Sequence, residues 1–162
     1  MNRIVVGIDL SKHKFDVAYS VSNQKWKDKA FDNSPSGFKD FLEWMSANKI
    51  ENAHIVMEAT RRYGEDFAHF IYISGHNVSI INPAQIKHYA RSLLRRTKTD
   101  KVDSRLIAEF AQRHDLPLWK PLSPSLQSLK DQVRCLEAFK KRMRHKQVIA
   151  LRVPKMSLFK KC

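Results

Sequence analysis

Arg3-Ile4-Val5-Val6-Gly7-Ile8-Asp9-Leu10, then Phe15-Asp16-Val17-Ala18-Tyr19-Ser20-Val21, then Lys25-Trp26-Lys27-Asp28-Lys29-Ala30-Phe31 carry the pattern that settles the architecture. In the first segment Ile4, Val5, Val6 and Ile8 are β-branched and nearly continuous, the pattern of a buried strand. In the second, Phe15, Val17, Tyr19 and Val21 alternate with more polar residues, the period of two of a strand with one buried face. The third is more polar and follows the turn-prone Ser22-Asn23-Gln24. Three strands joined by short connections predict an antiparallel meander.

Further along, Ser34-Pro35-Ser36-Gly37 is a helix start signal. Phe38, Phe41, Leu42 and Met45 then fall on one helical face. His54-Ile55-Val56-Met57 reads as a short strand ending at Glu58. Residues 64–74 suit a helix stopped by Gly75. Val78, Ile80 and Ile81 form another strand, ended by Asn82-Pro83. Ala84 to Leu94 is helical, residues 94–99 read as a mobile basic loop, and a further helix is expected from about Lys101 to Arg113. A meander leading into alternating α and β elements predicts an α/β fold of the RNase H-like kind, a mixed sheet with helices on both faces.

After Pro117 and Pro121 the character changes. Leu122, Leu126, Leu129, Val133, Leu136 and Met143 keep alternating spacings of four and three, broken by Lys140. That is a coiled-coil-like seam, and it predicts self-association through a long C-terminal helix. The expected organisation is an RNase H-like domain over 1–116, a linker over 117–123, a long amphipathic helix over 124–151 and a basic tail over 152–162. Pro154 interrupts the helical pattern of that tail, which reads as a truncated or frame-shifted end.

The charge balance narrows the function. Thirty Lys+Arg against sixteen Asp+Glu give a net charge of +14 in 162 residues. Such an excess favours a polyanionic partner through phosphate neutralisation and counterion release, although a basic ribosome-associated protein would share it. No apolar run approaches the roughly 20 residues that span a bilayer, and Asp9 interrupts the first apolar segment too early for a signal peptide. Cys135 and Cys162 fit neither a metal-ligand spacing nor a disulfide framework. A cytoplasmic protein is the default expectation.

Asp9 ends the most apolar strand, where an ionised carboxylate is costly unless a cation or hydrogen-bond donors compensate it. Glu58 repeats this pattern after Ile55-Val56-Met57. Asp100 and Asp103 stand three apart at a helix start, on one face. An Asp at a helix start is also an ordinary cap, which accounts for one of these two but for neither Asp9 nor Glu58. Four carboxylates from three separated elements are what a two-metal site for phosphodiester chemistry needs, because hard cations choose oxygen ligands.

Gly7-Ile8-Asp9-Leu10-Ser11-Lys12, Met57-Glu58-Ala59-Thr60 with Tyr63, and Lys98-Thr99-Asp100-Lys101-Val102-Asp103-Ser104 with Leu106-Ile107-Ala108 resemble the DEDD transposases of insertion-sequence group one hundred and ten. That group includes the Piv-type DNA invertases, and its N-terminal domain is similar to the Holliday-junction resolvase RuvC. The resemblance runs in order from residue 3 to about 145. It implies that Asp9, Glu58, Asp100 and Asp103 are the catalytic and metal-binding acids, with Mg²⁺ or Mn²⁺ as cofactor. It also implies DNA as partner, a guide RNA, and a second domain carrying a nucleophilic serine. This chain has Arg61-Arg62 where family members often have Gly, and it contains no serine domain, so the fragment is expected to be inactive alone.

Lys12, Lys14, Arg61, Arg62, Arg95, Arg96, Lys98 and Lys101 flank the acids in sequence and are the candidates for holding nucleic-acid phosphates. Tyr63 and Tyr89 are expected to pack rather than stack on bases. None of the seven His residues forms a ligand pair, Ser11 and Ser104 lack a base partner, and Asp16 and Asp40 fit no motif. Two other functions fit the same residues: a catalytically silent nucleic-acid-binding or dimerisation module, and a RuvC-like structure-specific nuclease.

Overall fold

The computed structural model describes residues 4–22, 25–59, 61–94 and 100–152, without the side chains at 22, 61–63, 100–102 and 145–152. The chain divides into two compact units, Met1–Pro121 and Leu122–Cys162. In chain order the elements are β1 (Val5–Leu10), β2 (Lys14–Ser22), β3 (Lys25–Asp32), α1 (Pro35–Ala47), β4 (His54–Glu58), α2 (Arg61–Ile73), β5 (Asn77–Ile81), α3 (Pro83–Ser92), α4 (Asp100–Arg113) and α5 (Pro124–Arg152). The expected mobile loop lies almost wholly at 95–99, outside the described residues.

The five strands form one mixed sheet in the order β3-β2-β1-β4-β5. β1, β2 and β3 make the antiparallel meander, while β4 and β5 join β1 in parallel. Parallel neighbours need crossover connections, and α1 and α2 supply them. Ser34 caps α1 by accepting from the Gly37 amide at 3.3 Å, and Asn82 caps α3 by accepting from Ala84 at 2.9 Å. In both helices Pro follows the cap, where its missing N–H costs no intrahelical bond.

The period of two sorts the sheet into two cores. On one face Val6, Ile8, Phe15, Val17, Ile55 and Met57 pack against Phe38, Phe41 and Met45 of α1 and Phe67 and Ile71 of α2. Phe15 is the hub of this layer, its ring 4.7 Å from Phe67 and 5.4 Å from Phe31 between centroids. On the other face Val5, Val56 and Ile81 pack against Ile86 of α3 and Leu106, Ile107 and Phe110 of α4. Tyr89 belongs to this second layer, edge-on to Phe110 at 5.3 Å. Helices cover both faces, as the alternation of elements predicts.

Beyond β5 the chain stays attached to the sheet. Ser79 donates to the Pro117 carbonyl at 2.8 Å and His54 Nε2 contacts the same hydroxyl at 2.7 Å. Since that hydroxyl spends its proton on Pro117, His54 Nε2 is the donor to Ser79. The Trp119 amide donates to Val78 O at 2.7 Å. In the second unit, α5 exposes Leu126, Leu129, Val133, Leu136 and Met143, each about half accessible. No helix among the described residues is long and apolar enough to cross a membrane.

Candidate active site

α4 lies directly on β1. A Cβ built on Gly7 would stand 2.2 Å from the Ser104 carbonyl oxygen and 2.5 Å from the Ala108 amide nitrogen. The helix backbone therefore approaches the strand as only glycine permits. Gly7 shares its face of β1 with Asp9, two residues on, and Ser104 directly follows Asp103. The start of α4 and the carboxyl end of β1 thus belong to one region. Helical phase puts positions 100 and 103 on the side of α4 that carries the buried Ile107 and Ala111.

Asp9 and Glu58 follow immediately on Ile8 and Met57, the final pair of the parallel β1–β4 ladder. By alternation Glu58 faces the α4 side with Val56, as Asp9 does with Gly7. Both are partly buried, as is Asp103. The carboxyl ends of parallel strands are where open α/β sheets place their ligands.

Asp16 also belongs to this row, which the sequence alone did not reveal. It is the antiparallel partner of Asp9, faces α4 with Ala18, and is only 7% exposed. Lys14 Nζ holds its Oδ2 at 3.0 Å. The row across the sheet therefore reads Glu58, Asp9, Asp16, with one ammonium group bound at its outer end. The available signal was the period of two in β2. It sets Asp16 opposite the Phe15–Val17 face, but it does not say that a helix covers that other face.

The basic candidates divide three ways. Lys12 and Lys14 are exposed on the tight turn that leaves Asp9, which is braced by Ser11 Oγ donating to Lys14 O at 2.7 Å and Asn33 Nδ2 donating to Ser11 O at 2.8 Å. Arg61, Arg62 and Lys101 are placed by backbone alone: the first two open α2 just after Glu58, and the third lies in the first turn of α4. Arg95, Arg96 and Lys98 fall outside the described residues. Among the described residues no three His, Cys, Asp or Glu side chains are grouped closely enough to hold a metal ion. The side chain of Asp100 does not enter that description.

A family model for the DEDD transposases of the IS110 group, described as Transposase, matches residues 6–151. The chain belongs to this transposase family. It is 34% identical over 149 residues to the pilin gene-inverting proteins of Moraxella bovis and of Moraxella lacunata, covering 91% of this chain. It spans 44% of the length of each. Among solved structures, RuvC of Thermus thermophilus superposes with a TM-score of 0.50 at 14% identity, covering 72% of this chain and 99% of that one. At such identity the likeness concerns the fold, which is RNase H-like.

Proposed function

We propose that this chain is the metal-binding catalytic domain of a DNA recombinase, with Asp9, Glu58, Asp100 and Asp103 as its acids. The observation that carries the reading is the pairing of Asp9 and Glu58 at matching ends of neighbouring parallel strands, beneath a helix whose first turn bears positions 100 and 103. The donor set fits hard divalent cations, because it is all carboxylate oxygen. When bound, Mg²⁺ or Mn²⁺ supplies polarisation of a phosphodiester and activation of the attacking oxygen. The acids hold the ions. Lys12 and Lys14, on the turn leaving Asp9, contact the DNA backbone beside them, and Arg61, Arg62, Arg95, Arg96, Lys98 and Lys101 extend that basic border.

We also propose a catalytic domain over 1–116, a linker over 117–123, a long helix over 124–151 and a tail over 152–162. α5 joins two copies of the chain through its exposed Leu126–Met143 seam, since so regular an apolar stripe gains most by pairing with itself. Strand exchange requires a C-terminal serine domain beyond this length of chain, and a guide RNA is a further partner of the complete protein. A cytoplasmic location is the one we propose with this DNA substrate. The test is a Mn²⁺ titration by calorimetry, with DNA binding followed over a salt series. Wild type should bind Mn²⁺, Asp9→Asn and Glu58→Gln should lose it, and DNA affinity should fall steeply as salt rises. Equal Mn²⁺ binding by wild type and both variants would defeat the site assignment.

A further inference from the structure

Two residues before Asp9, the sheet offers a seat for α4. Gly7 is the partner of Ala18, and Ala18 is the partner of Asp28, so these three lie in one row across β1, β2 and β3. Gly7 and Ala18 carry almost no side chain, and both are buried beneath the helix. Ser104 rests its backbone on Gly7. Arg105, the next residue, reaches over the low part of the row to Asp28. Its Nε donates to Asp28 Oδ1 at 2.7 Å and its Nη2 stands 2.5 Å from the same oxygen. Both side chains are partly screened from solvent, at 37% and 19% exposure. The acid row of Glu58, Asp9 and Asp16 is the next same-face row, about 7 Å along the strands.

We infer that Arg105 and Asp28 are a positioning pair, which fixes the start of α4 over the acid row and so sets where Asp103 and position 100 stand. The inference rests on the metal-site reading above for its consequence, although not for the clamp itself. α4 opens at Asp100, and Arg105 stands in its second turn. Its large apolar contacts, Leu106, Ile107 and Phe110, lie further along, and the first turn of any helix lacks intrahelical partners for its amides. Two guanidinium nitrogens on one carboxylate oxygen of the far strand hold the adjoining turn at a set distance from it. It also sets the helix laterally, since Arg105 pulls toward β3 while Leu106 and Phe110 pack in the layer shared with α3. Groups hydrogen-bonded to metal ligands change metal affinity by about 10–100-fold when removed; Arg105 and Asp28 act one step further out, through the backbone of α4, so the low end of that range applies.

The test uses the full 162-residue chain and the variants Asp28→Asn, Arg105→Ala and the charge swap Asp28→Arg with Arg105→Asp. Amide hydrogen exchange is measured without metal at residues 104–107, whose N–H groups bond to the carbonyls of residues 100–103. Mn²⁺ affinity is measured alongside. The single variants should exchange several-fold faster at 104–107, with residues 55–57 of β4 unchanged, and should bind Mn²⁺ about tenfold more weakly. The swap should restore both values toward wild type. Asp28→Asn preserves side-chain shape, and unchanged β4 amides show that the fold is intact. Unaltered exchange at 104–107 in both single variants overturns the proposal. So does faster exchange with Mn²⁺ affinity held at the wild-type value. A wild-type chain that binds no Mn²⁺ overturns the metal reading instead, while faster exchange reversed by the swap still supports the clamp.

Discussion

Gly7→Ala adds one carbon where the structure has no room for it. The new Cβ would sit 2.2 Å from Ser104 O, 2.5 Å from Ala108 N and 2.9 Å from Ala108 Cβ. Ordinary carbon contacts lie near 3.5 Å, so α4 has to retreat by about 1 Å. The two nearest atoms are backbone, and no rotamer change relieves them. Overpacking of this sort costs about 1–3 kcal/mol. Urea unfolding followed by circular dichroism should therefore show a lower midpoint at unchanged slope. The same retreat lifts Asp103 from the acid row, and a misplacement of about 1 Å is enough to cost about 100-fold in a positioned reaction. In this chain it should appear as weakened Mn²⁺ binding. Adding Ala108→Gly removes only the most distant of the three clashes and costs about 1 kcal/mol of helix propensity, so it should not rescue. Gly75→Ala is the contrasting control: nothing lies within 4 Å of its Cβ, but its φ of +85° penalises a side chain through backbone strain alone. That variant should lose stability while keeping Mn²⁺ affinity. If Gly7→Ala unfolds within about 0.5 kcal/mol of wild type, the close docking of α4 on β1 is refuted.

Three further outcomes are expected. Asp9→Asn should leave metal-free thermal stability unchanged or raised, since like charges opposite one another on a sheet repel, while abolishing the stabilisation by Mn²⁺; Asp103→Asn should behave alike and Asp40→Asn should not, and a loss of metal-free stability without any Mn²⁺ response in wild type would make these acids structural. Ser79→Ala takes the hydroxyl partner from the buried His54 Nε2 and the donor from the Pro117 carbonyl, so thermal denaturation should register a loss of about 1–3 kcal/mol, and a neutral result would remove this anchor from the account. Burial lowers the pKa of His76. The unfolded chain then binds the extra proton first, so this group contributes stability above its unfolded value near 6.5 that is lost as pH falls; His76→Gln should flatten the stability profile below that pH, and an unchanged slope would show that His76 does not contribute.

Local pattern was enough for the elements and for part of the site. A period of two in β2, continuous β-branched residues in β1, and Pro behind Ser34 and Asn82 are decided within a few residues, so they are written in the chain itself. The same holds for acids that end apolar strands, because an ionised group beside a core segment is conspicuous without knowledge of its neighbours. Helix bounds shifted by a few residues, as for α2, which opens at Arg61 rather than near residue 64.

What sequence could not supply is which elements become neighbours across the sheet. Asp16 looked like an unremarkable polar residue on the open side of β2. Register makes it the partner of Asp9, and α4 closes over both. Arg105 and Asp28 are 77 residues apart, and nothing local to either foretells the other. Their meeting depends on strand order, on the β2–β3 register, and on Gly7 and Ala18 being small enough for a helix to settle onto them. Strand patterning is short-range and acts through side chains only a few residues apart, whereas register and helix docking are settled by packing over the whole sheet. The sequence thus determined the kind of fold and the identity of its conspicuous acids. The tertiary structure alone decided that Asp9, Glu58 and Asp16 share one row beneath α4, and that an arginine holds that helix in place.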